Sequence, residues 1–206
     1  MAKRRKVGNL LGLQVLAGLV ERPMHPYEMA SVLRERGKDV DTKINWGSLY
    51  TVVQNLEKHG FIAAGDTVRD GKRPERTIYH LTAAGRAELE DWLRELLAVP
   101  EQEYPRLRTA LSVMGVLGPD EVIELLDARL AALDGETSAY AAELAALAKT
   151  IPRGLLVEAE YYVAVRRAEA DWVRGFLAEL RDGSMPGMDA WRQYHETGTL
   201  PPFEGG

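Results

Sequence analysis

Apolar residues in the first 60 positions recur at intervals of three and four, which is the period of amphipathic helices. The pattern predicts three short helices: one from about 8 to 21 that ends before Pro23, one that begins at His25-Pro26 and stops at Gly37, and one from about 46 to 59. The apolar positions that we expect to face the core are Leu10, Leu13, Leu16 and Val20, then Met29, Val32 and Leu33, then Leu49, Val52, Val53 and Leu56.

After Gly60 the period changes to two, which is typical of strands. A first strand begins at Phe61-Ile62, residues 69–74 form a turn tip with an Asp-Gly pair, and residues 77–81 form the returning strand. Thr82 is a good N-cap for a fourth helix, whose apolar face is Leu89, Leu93 and Leu96. Three helices followed by a two-stranded hairpin wing predict a winged helix-turn-helix domain over residues 1–98.

The rest of the chain reads as helix, so the fold class is mainly α. A short helix is predicted over 105–117. A long one that opens at 118–120 carries the apolar ladder Val122, Leu126, Leu130, Leu133, Thr137, Tyr140, Leu144 and Leu147, and the last covers 155–181. That last helix is apolar on two sides, one with Leu155, Ala159, Tyr162 and Val165 and the other with Leu156, Val163, Ala170 and Leu177. Two apolar sides need two partners, and the simplest second partner is the same helix of another copy. We therefore predict a helical dimerisation and effector domain over 99–181 and a partly ordered tail over 182–206, rich in Gly and Pro.

Charge divides along the chain in a way that the net value of −5 conceals. Residues 1–85 contain 14 Lys and Arg against 9 Asp and Glu, and the remaining residues contain 12 against 22. A basic half beside an acidic half favours a module that binds a polyanion.

Several classes of protein are excluded by composition. With no cysteine among 206 residues, disulfide scaffolds, thiol nucleophiles and Cys-ligated metals are ruled out. The four histidines are scattered, and no phosphate-binding loop, dinucleotide fingerprint or nucleophile elbow occurs. We predict neither catalysis nor a metal or cofactor. No apolar run reaches the length of a membrane span and no cleavage site follows the basic start, so we expect a cytoplasmic protein.

The outward face of the third helix carries the main functional pattern. Ordinary solvated faces in a chain this charged carry Glu, Lys and Arg, whereas this one offers neutral donors and acceptors and a single cation. Such side chains can read base edges or contact phosphates in a DNA major groove; an ordinary polar surface is the alternative. The residues concerned are Ser48, Tyr50, Thr51, Gln54, Asn55 and Lys58.

Two basic segments add to this pattern. The wing carries Arg69, Lys72, Arg73 and Arg76, which can hold DNA phosphates or the flanking minor groove, or form a solvated turn. The N-terminal run of Lys3, Arg4, Arg5 and Lys6 is either an arm that contacts phosphates or a solubilising terminus.

Five segments together resemble the PadR family of transcriptional regulators. They are NLLGLQVLAGL, HPYEMASVLRERG, GSLYTVVQNLEKHGFI, RDGKRPERTIYHLT and LTAAGRAELEDWL, and they cover about residues 7–97. The acidic helical region 104–181 is similar to the C-terminal domain of the virulence-activator-like branch. The resemblance implies a homodimer on inverted-repeat operators. It also implies a repressor that releases DNA when a small aromatic or hydrophobic effector binds.

Family contacts transfer only where the motif aligns. Tyr50 occupies the tyrosine position of the recognition helix, and Ser48 lies two residues before it. The family often has a cation shortly after this tyrosine, but residues 51–54 contain none. Phosphate neutralisation would then depend more on Lys43, Lys58 and the wing.

An effector site is less readable from the sequence. Tyr162, Arg166, Trp172 and Phe176 could line an aromatic pocket with a cation for an acidic ligand, or they could be dimer core.

A function from another class also stays open at this point, namely a winged-helix adaptor that binds proteins and not DNA. The low charge of the recognition helix favours the adaptor, and the basic wing argues against it.

Overall fold

A computed structural model of the protein describes residues 5–36, 46–68 and 76–199, and the chain divides into two compact units, 1–103 and 104–206. The described residues form a mainly helical fold with one two-stranded sheet. The elements of the first unit are α1 (Leu10–Glu21), α2 (Pro26–Glu35), α3 (Trp46–Lys58), β1 (Ile62–Val68), β2 (Arg76–Leu81) and α4 (Ala83–Ala98). Those of the second are α5 (Arg106–Ser112), α6 (Pro119–Leu147), α7 (Val157–Asp182) and α8 (Met188–Thr197), with short 3-10 helices at Met114–Val116 and Arg153–Leu155.

Helix α1 is the centre of the first unit, and its buried face differs from the predicted one. Asn9 caps the helix by accepting a hydrogen bond from the Leu11 amide at 2.9 Å. Leu10 and Val20 were predicted to face the core but are 51% and 39% exposed. A leucine-rich helix is apolar around most of its circumference, so residue spacing alone did not fix its rotation. The residues that it buries are Leu11, Gly12, Val15, Leu16 and Leu19.

The predictions for the start of α2 and for α3 are confirmed, whereas Val32 of α2 is only partly buried and the predicted stop at Gly37 lies outside the described residues. His25 caps α2 through its Nδ1, which accepts from the Tyr27 amide at 3.1 Å, and Pro26 occupies the first turn, where a missing N–H leaves no acceptor unpaired. All four predicted inward residues of α3 are buried, from Leu49 to Leu56. Burial of that side leaves the opposite side of α3 facing outward.

The strands pair in an antiparallel hairpin, as the alternating pattern predicts. Ile62 is opposite Leu81, and a register irregularity separates Ala64 from Thr67. Thr82 is the N-cap of α4: its hydroxyl accepts from the Gly85 amide at 3.0 Å and donates to the carbonyl of Gly60 at 2.7 Å. This residue therefore ties the start of α4 to the end of α3.

The second unit is built on a hairpin of α6 and α7. Three ion pairs cross it, Arg181 to Asp127, Arg174 to Asp134, and Arg129 to Glu169. Asp127 pairs with Arg181, and Asp134, further along α6, pairs with Arg174, earlier on α7, so the two helices run antiparallel. The predicted ladder on α6 is buried at Val122, Leu126, Leu133 and Thr137, whereas Tyr140 and Leu147 are 38% and 39% exposed.

Helix α7 has one side that is fully packed and another that is partly open. Leu156, just before the helix, and Val163, Ala170 and Leu177 within it are all buried, which confirms the predicted side that these four residues form. The other predicted side is only partly covered, because Leu155 and Val165 are 74% and 46% exposed.

The tail contributes a helix that the sequence did not predict. Helix α8 places Trp191 against the core of the second unit, and the indole N–H donates to the carbonyl of Leu117 at 2.9 Å. His195 Nε2 lies 3.0 Å from the carbonyl oxygen of Gly115. These two contacts fasten α8 onto the turn between α5 and α6.

Candidate nucleic-acid interface

Helix α3 presents a continuous polar face to solvent. Thr51, Gln54, Asn55 and Lys58 are exposed at spacings of three and four, so they share one side of the helix. Tyr50 is 45% exposed beside them. Ser48 is half-buried at the start of the same face. These six predicted residues are therefore brought together on one surface.

The hydroxyl of Thr51 is already engaged, since it donates to the carbonyl of Gly47 at 2.8 Å. Its oxygen retains lone pairs that can accept from a base or a water. Neither Gln54 nor Asn55 makes a hydrogen bond through its amide group within the described parts of the chain. Both amide groups can therefore pair with a base edge with no internal bond to break.

Several predicted contacts fall outside the described residues. Lys43 precedes α3 in the sequence, and Arg69, Lys72 and Arg73 fall between β1 and β2 in the sequence. Arg76 is the first residue of β2, at the distal end of the hairpin where the backbone pairs with Val68. Their roles stay predictions.

The base of the wing is attached to α3 through a side-chain contact. The Tyr79 hydroxyl donates to a carboxylate oxygen of Glu57 at 3.3 Å. Burial raises the pKa of Tyr79, and the negative charge of Glu57 raises it further. The neutral, donating form of the phenol is therefore favoured, and it links β2 to the recognition helix.

Arg5 is not available to DNA, so it cannot be one of the phosphate contacts predicted for the N-terminal arm. Only 4% of its side chain is exposed, and its guanidinium pairs with Glu88 at 2.8 Å, with Asp91 at 3.2 Å and with Glu95. The same group lies 5.3 Å from the ring centre of Trp92. Burial lowers the pKa of Arg5, but hydrogen bonds to the carboxylates outweigh it and leave the pKa raised. The burial of Arg5 could not be predicted, because nothing in the run of four cations at the N-terminus indicates that one of them is buried.

Lys6, by contrast, is exposed beside the recognition helix. A mostly polar cavity of about 580 Å³ is lined by Lys6 and Asn9 on one side and by Ser48, Thr51 and Asn55 on the other. Sequence reasoning placed Lys6 in a basic run and did not connect it to α3.

The four residues predicted for an effector are divided between two clusters, one around Tyr162 and the other formed by Trp172 and Phe176. Tyr162 packs on Tyr140 with ring centres 4.9 Å apart, and the Arg166 guanidinium lies 5.3 Å from the centre of the Tyr162 ring. Trp172 and Phe176 stack at 5.2 Å.

Two of these four residues line a common cavity. It measures about 630 Å³ and is bordered by Arg166 and Trp172, but Tyr162 and Phe176 are not among its lining residues. Three further arginines complete its wall, namely Arg106, Arg108 and Arg129. Glu169 also borders it and pairs with Arg129 and Arg166. The excess of positive charge suits an acidic molecule. The sequence did not indicate Arg106, Arg108 or Arg129, since they come from α5 and α6.

Metal sites and membrane spans are two further features that the described residues could carry. No group of three or more His, Asp or Glu side chains there is arranged to hold a metal ion. None of the helices in this part of the chain combines the length and the apolar character that a bilayer span requires.

The order of elements, with a polar recognition helix and a hairpin behind it, defines a winged helix-turn-helix protein with a helical C-terminal unit. Residues 15–91 match the model of the transcriptional regulator PadR-like family. The N-terminal unit of the chain is therefore similar to this family. No protein of curated function matches the chain.

Solved structures of the family share the fold over most of the chain. PadR from Bacillus subtilis in complex with operator DNA is 20% identical, with a TM-score of 0.68 over 84% of this chain and 99% of that one. The same protein in complex with p-coumaric acid is 18% identical, with the same TM-score and coverage. The PadR-like regulator BC1756 from Bacillus cereus is 15% identical, with a TM-score of 0.56 over 84% of this chain and 99% of that one.

Proposed function

We propose that the protein is a sequence-specific DNA-binding transcriptional regulator whose recognition helix is α3. The observation that carries this function is the composition of the exposed face of α3. It presents amide and hydroxyl groups where a helix that only faces water would carry charges. Amides of Gln and Asn match adenine edges, and hydroxyls reach bases or phosphates.

The wing supplies the second part of the contact. In winged helix-turn-helix proteins, backbone contacts beside the major groove position the recognition helix without reading sequence. The cations Arg69, Lys72, Arg73 and Arg76 suit this role, together with Lys43 and Lys58 near the two ends of α3. Loss of these charges should weaken binding to all DNA sequences alike.

We further propose a homodimer through the second unit. Helix α7 leaves Tyr161, Val165 and Trp172 at 68%, 46% and 50% exposed along one side of the helix. Apolar residues gathered in this way on a helix indicate a surface that a partner covers. A two-fold dimer would place its two recognition helices about 34 Å apart, or a multiple of that, on an inverted repeat.

Regulation by a small acidic effector completes the proposal. The cavity beside Arg166 and Trp172 offers cations and an aromatic ring, and the related Bacillus subtilis PadR has been solved with p-coumaric acid. An effector that binds one dimer geometry better than the other shifts the population toward it and so releases DNA, as a repressor requires. With genomic DNA as its ligand, the protein acts in the cytoplasm and needs no catalytic step.

Fluorescence anisotropy tests the function directly. The labelled duplexes are one from upstream of the protein's own gene, one recovered by selection from a random library, and a scrambled control, each titrated at two salt concentrations. We expect tight, salt-sensitive binding that prefers the selected duplex over the scrambled one. Added p-coumaric acid serves as the first effector probe. A folded protein that binds none of these duplexes at low salt would refute the proposal and favour a protein-binding adaptor.

A further inference from the structure

The start of the chain is fixed on both sides of Lys6. Arg5 is buried against α4 by its three carboxylate partners, Glu88, Asp91 and Glu95. Val7 is 6% exposed and belongs to the core of the first unit, where its side chain contacts α1 at Gly12. Lys6 lies between these two anchors, is itself exposed, and borders the same cavity as the first turns of α3.

The cation on Lys6 is free to take a ligand. It forms no ion pair with any residue of 5–36, 46–68 or 76–199, whereas the guanidinium of Arg5 next to it pairs with three carboxylates. The polar residues across the cavity, Ser48, Thr51 and Asn55, belong to the face of α3 that we assign to DNA. A lysine held at this place would lose less conformational entropy on binding than one in a loose arm.

Lys6 also supplies a positive charge beside the part of the recognition helix that has none of its own. Within α3 the only cation is Lys58, in the last turn and about 15 Å along the helix from Ser48. The first turns of α3 carry none. DNA that lies along α3 has a phosphate backbone to neutralise at both ends of the contact.

We infer that residues 5–7 form an anchored phosphate clamp, in which Lys6 contacts a DNA backbone phosphate beside the start of α3 and Arg5 is the positioning residue that holds it there. The inference rests on the proposed DNA-binding function. It assigns opposite roles to two adjacent cations, since Lys6 contacts DNA and Arg5 never does. It also predicts that the carboxylates of α4 support DNA binding through Arg5 although they carry the charge that DNA repels.

The experiment is a double-mutant cycle on the full-length protein. The probes are a duplex selected from a random library and long enough for two half-sites, and a scrambled duplex of equal length. The dependence of log K on log salt concentration is measured for wild type, Lys6→Gln, Arg5→Ala and the double variant. Lys149→Gln is the matched control, because Lys149 is an exposed lysine of the second unit.

Lys6→Gln removes one cation from each protomer of the dimer, so it should reduce the salt slope by about two and weaken binding about 25- to 100-fold at 0.1 M salt, equally on both duplexes. Arg5→Ala should produce a similar loss, and the double variant should lose no more than either single variant. Lys149→Gln should leave the slope unchanged. If Arg5 itself contacted DNA, the double variant of the dimer would lose about four from the slope, and that additive result would overturn the inference.

Two further variants separate positioning from a general loss of folding. Arg5→Lys keeps one cation for the carboxylates of α4 and should preserve most of the wild-type slope. Val7→Ala loosens the other anchor and should reproduce part of the Lys6→Gln effect while Arg5 remains intact. A wild-type protein that binds DNA, with a slope that Lys6→Gln does not change, overturns the clamp alone. Absence of any DNA binding by the wild-type protein overturns both the clamp and the proposed function.

Discussion

Gly85 of α4 lies so close to the backbone of Phe61 that a Cβ built on it would stand 1.9 Å from the Phe61 carbonyl oxygen. This carbonyl also accepts a hydrogen bond from the amide of Thr82 at 3.1 Å, and the Thr82 hydroxyl oxygen lies 3.0 Å from it. The contact joins α4 to the segment between α3 and β1. Only a residue without a side chain lets the helix approach backbone at this distance.

We therefore predict that Gly85→Ala destabilises the protein by about 3 kcal/mol, because rigid backbone must move to admit the methyl group. Gly135→Ala is the matched control: a Cβ built on Gly135 of α6 would meet no described residue within 4 Å other than its neighbours along the helix, so the same change should stabilise by about 0.5–1 kcal/mol through helix propensity. Urea unfolding followed by circular dichroism measures both. Equal effects at the two sites would show that the approach to Phe61 does not constrain the fold.

Thr137 offers a second prediction about stability. It is 6% exposed in the seam of α6, and its hydroxyl has no hydrogen-bond partner among the described residues. Replacing it with valine keeps the shape and removes the buried polar group, so Thr137→Val should raise the free energy of unfolding by about 1 kcal/mol. Thr137→Ser keeps the hydroxyl, removes a methyl group and should destabilise. Loss of stability in Thr137→Val would indicate that the hydroxyl is bonded in solution.

The proposed dimer depends on the exposed apolar side of α7. Val165→Glu should convert the dimer to a monomer, since it places an unpaired charge in the interface. Ala178→Glu adds the same charge at an exposed position elsewhere on the helix and should leave the dimer intact. Size-exclusion chromatography with light scattering reports the mass. A Val165→Glu protein that remains dimeric would place the interface on another surface.

Much of the fold could be predicted from the sequence because local patterns decide it. The start of α4 at its cap Thr82 and the buried side of α3 could be predicted, because both depend on residues that are close together in the sequence. The rotation of α1 could not be predicted, since a helix with leucines on every side is oriented by its neighbours and not by its own pattern. Helix α8 was missed for a related reason. Its Gly- and Pro-rich surroundings resemble a loop, and the hydrogen bond from Trp191 to the carbonyl of Leu117 that holds it is a tertiary contact.

The candidate site divides in the same manner. The polar face of α3 was readable because it is a property of one helix. The burial of Arg5 was not, since its partners are more than 80 residues away and the charge of a cation does not reveal whether it meets carboxylates or phosphates. Arg106, Arg108 and Arg129 beside Trp172 were missed because they come from α5 and α6 and not from the helix that carries Trp172.

Substitution of Gln54 tests the central claim, that α3 reads base edges, most directly. The measurement is the ratio of Kd for a scrambled duplex to Kd for a library-selected duplex, determined by anisotropy for wild type and Gln54→Ala at one salt concentration. Loss of a base contact should lower this ratio about tenfold while binding to the scrambled duplex hardly changes. Lys58→Gln, which removes a phosphate contact, should weaken both duplexes equally and leave the ratio intact. An unchanged ratio in Gln54→Ala would contradict a base-reading role for Gln54 and for the face of α3 around it.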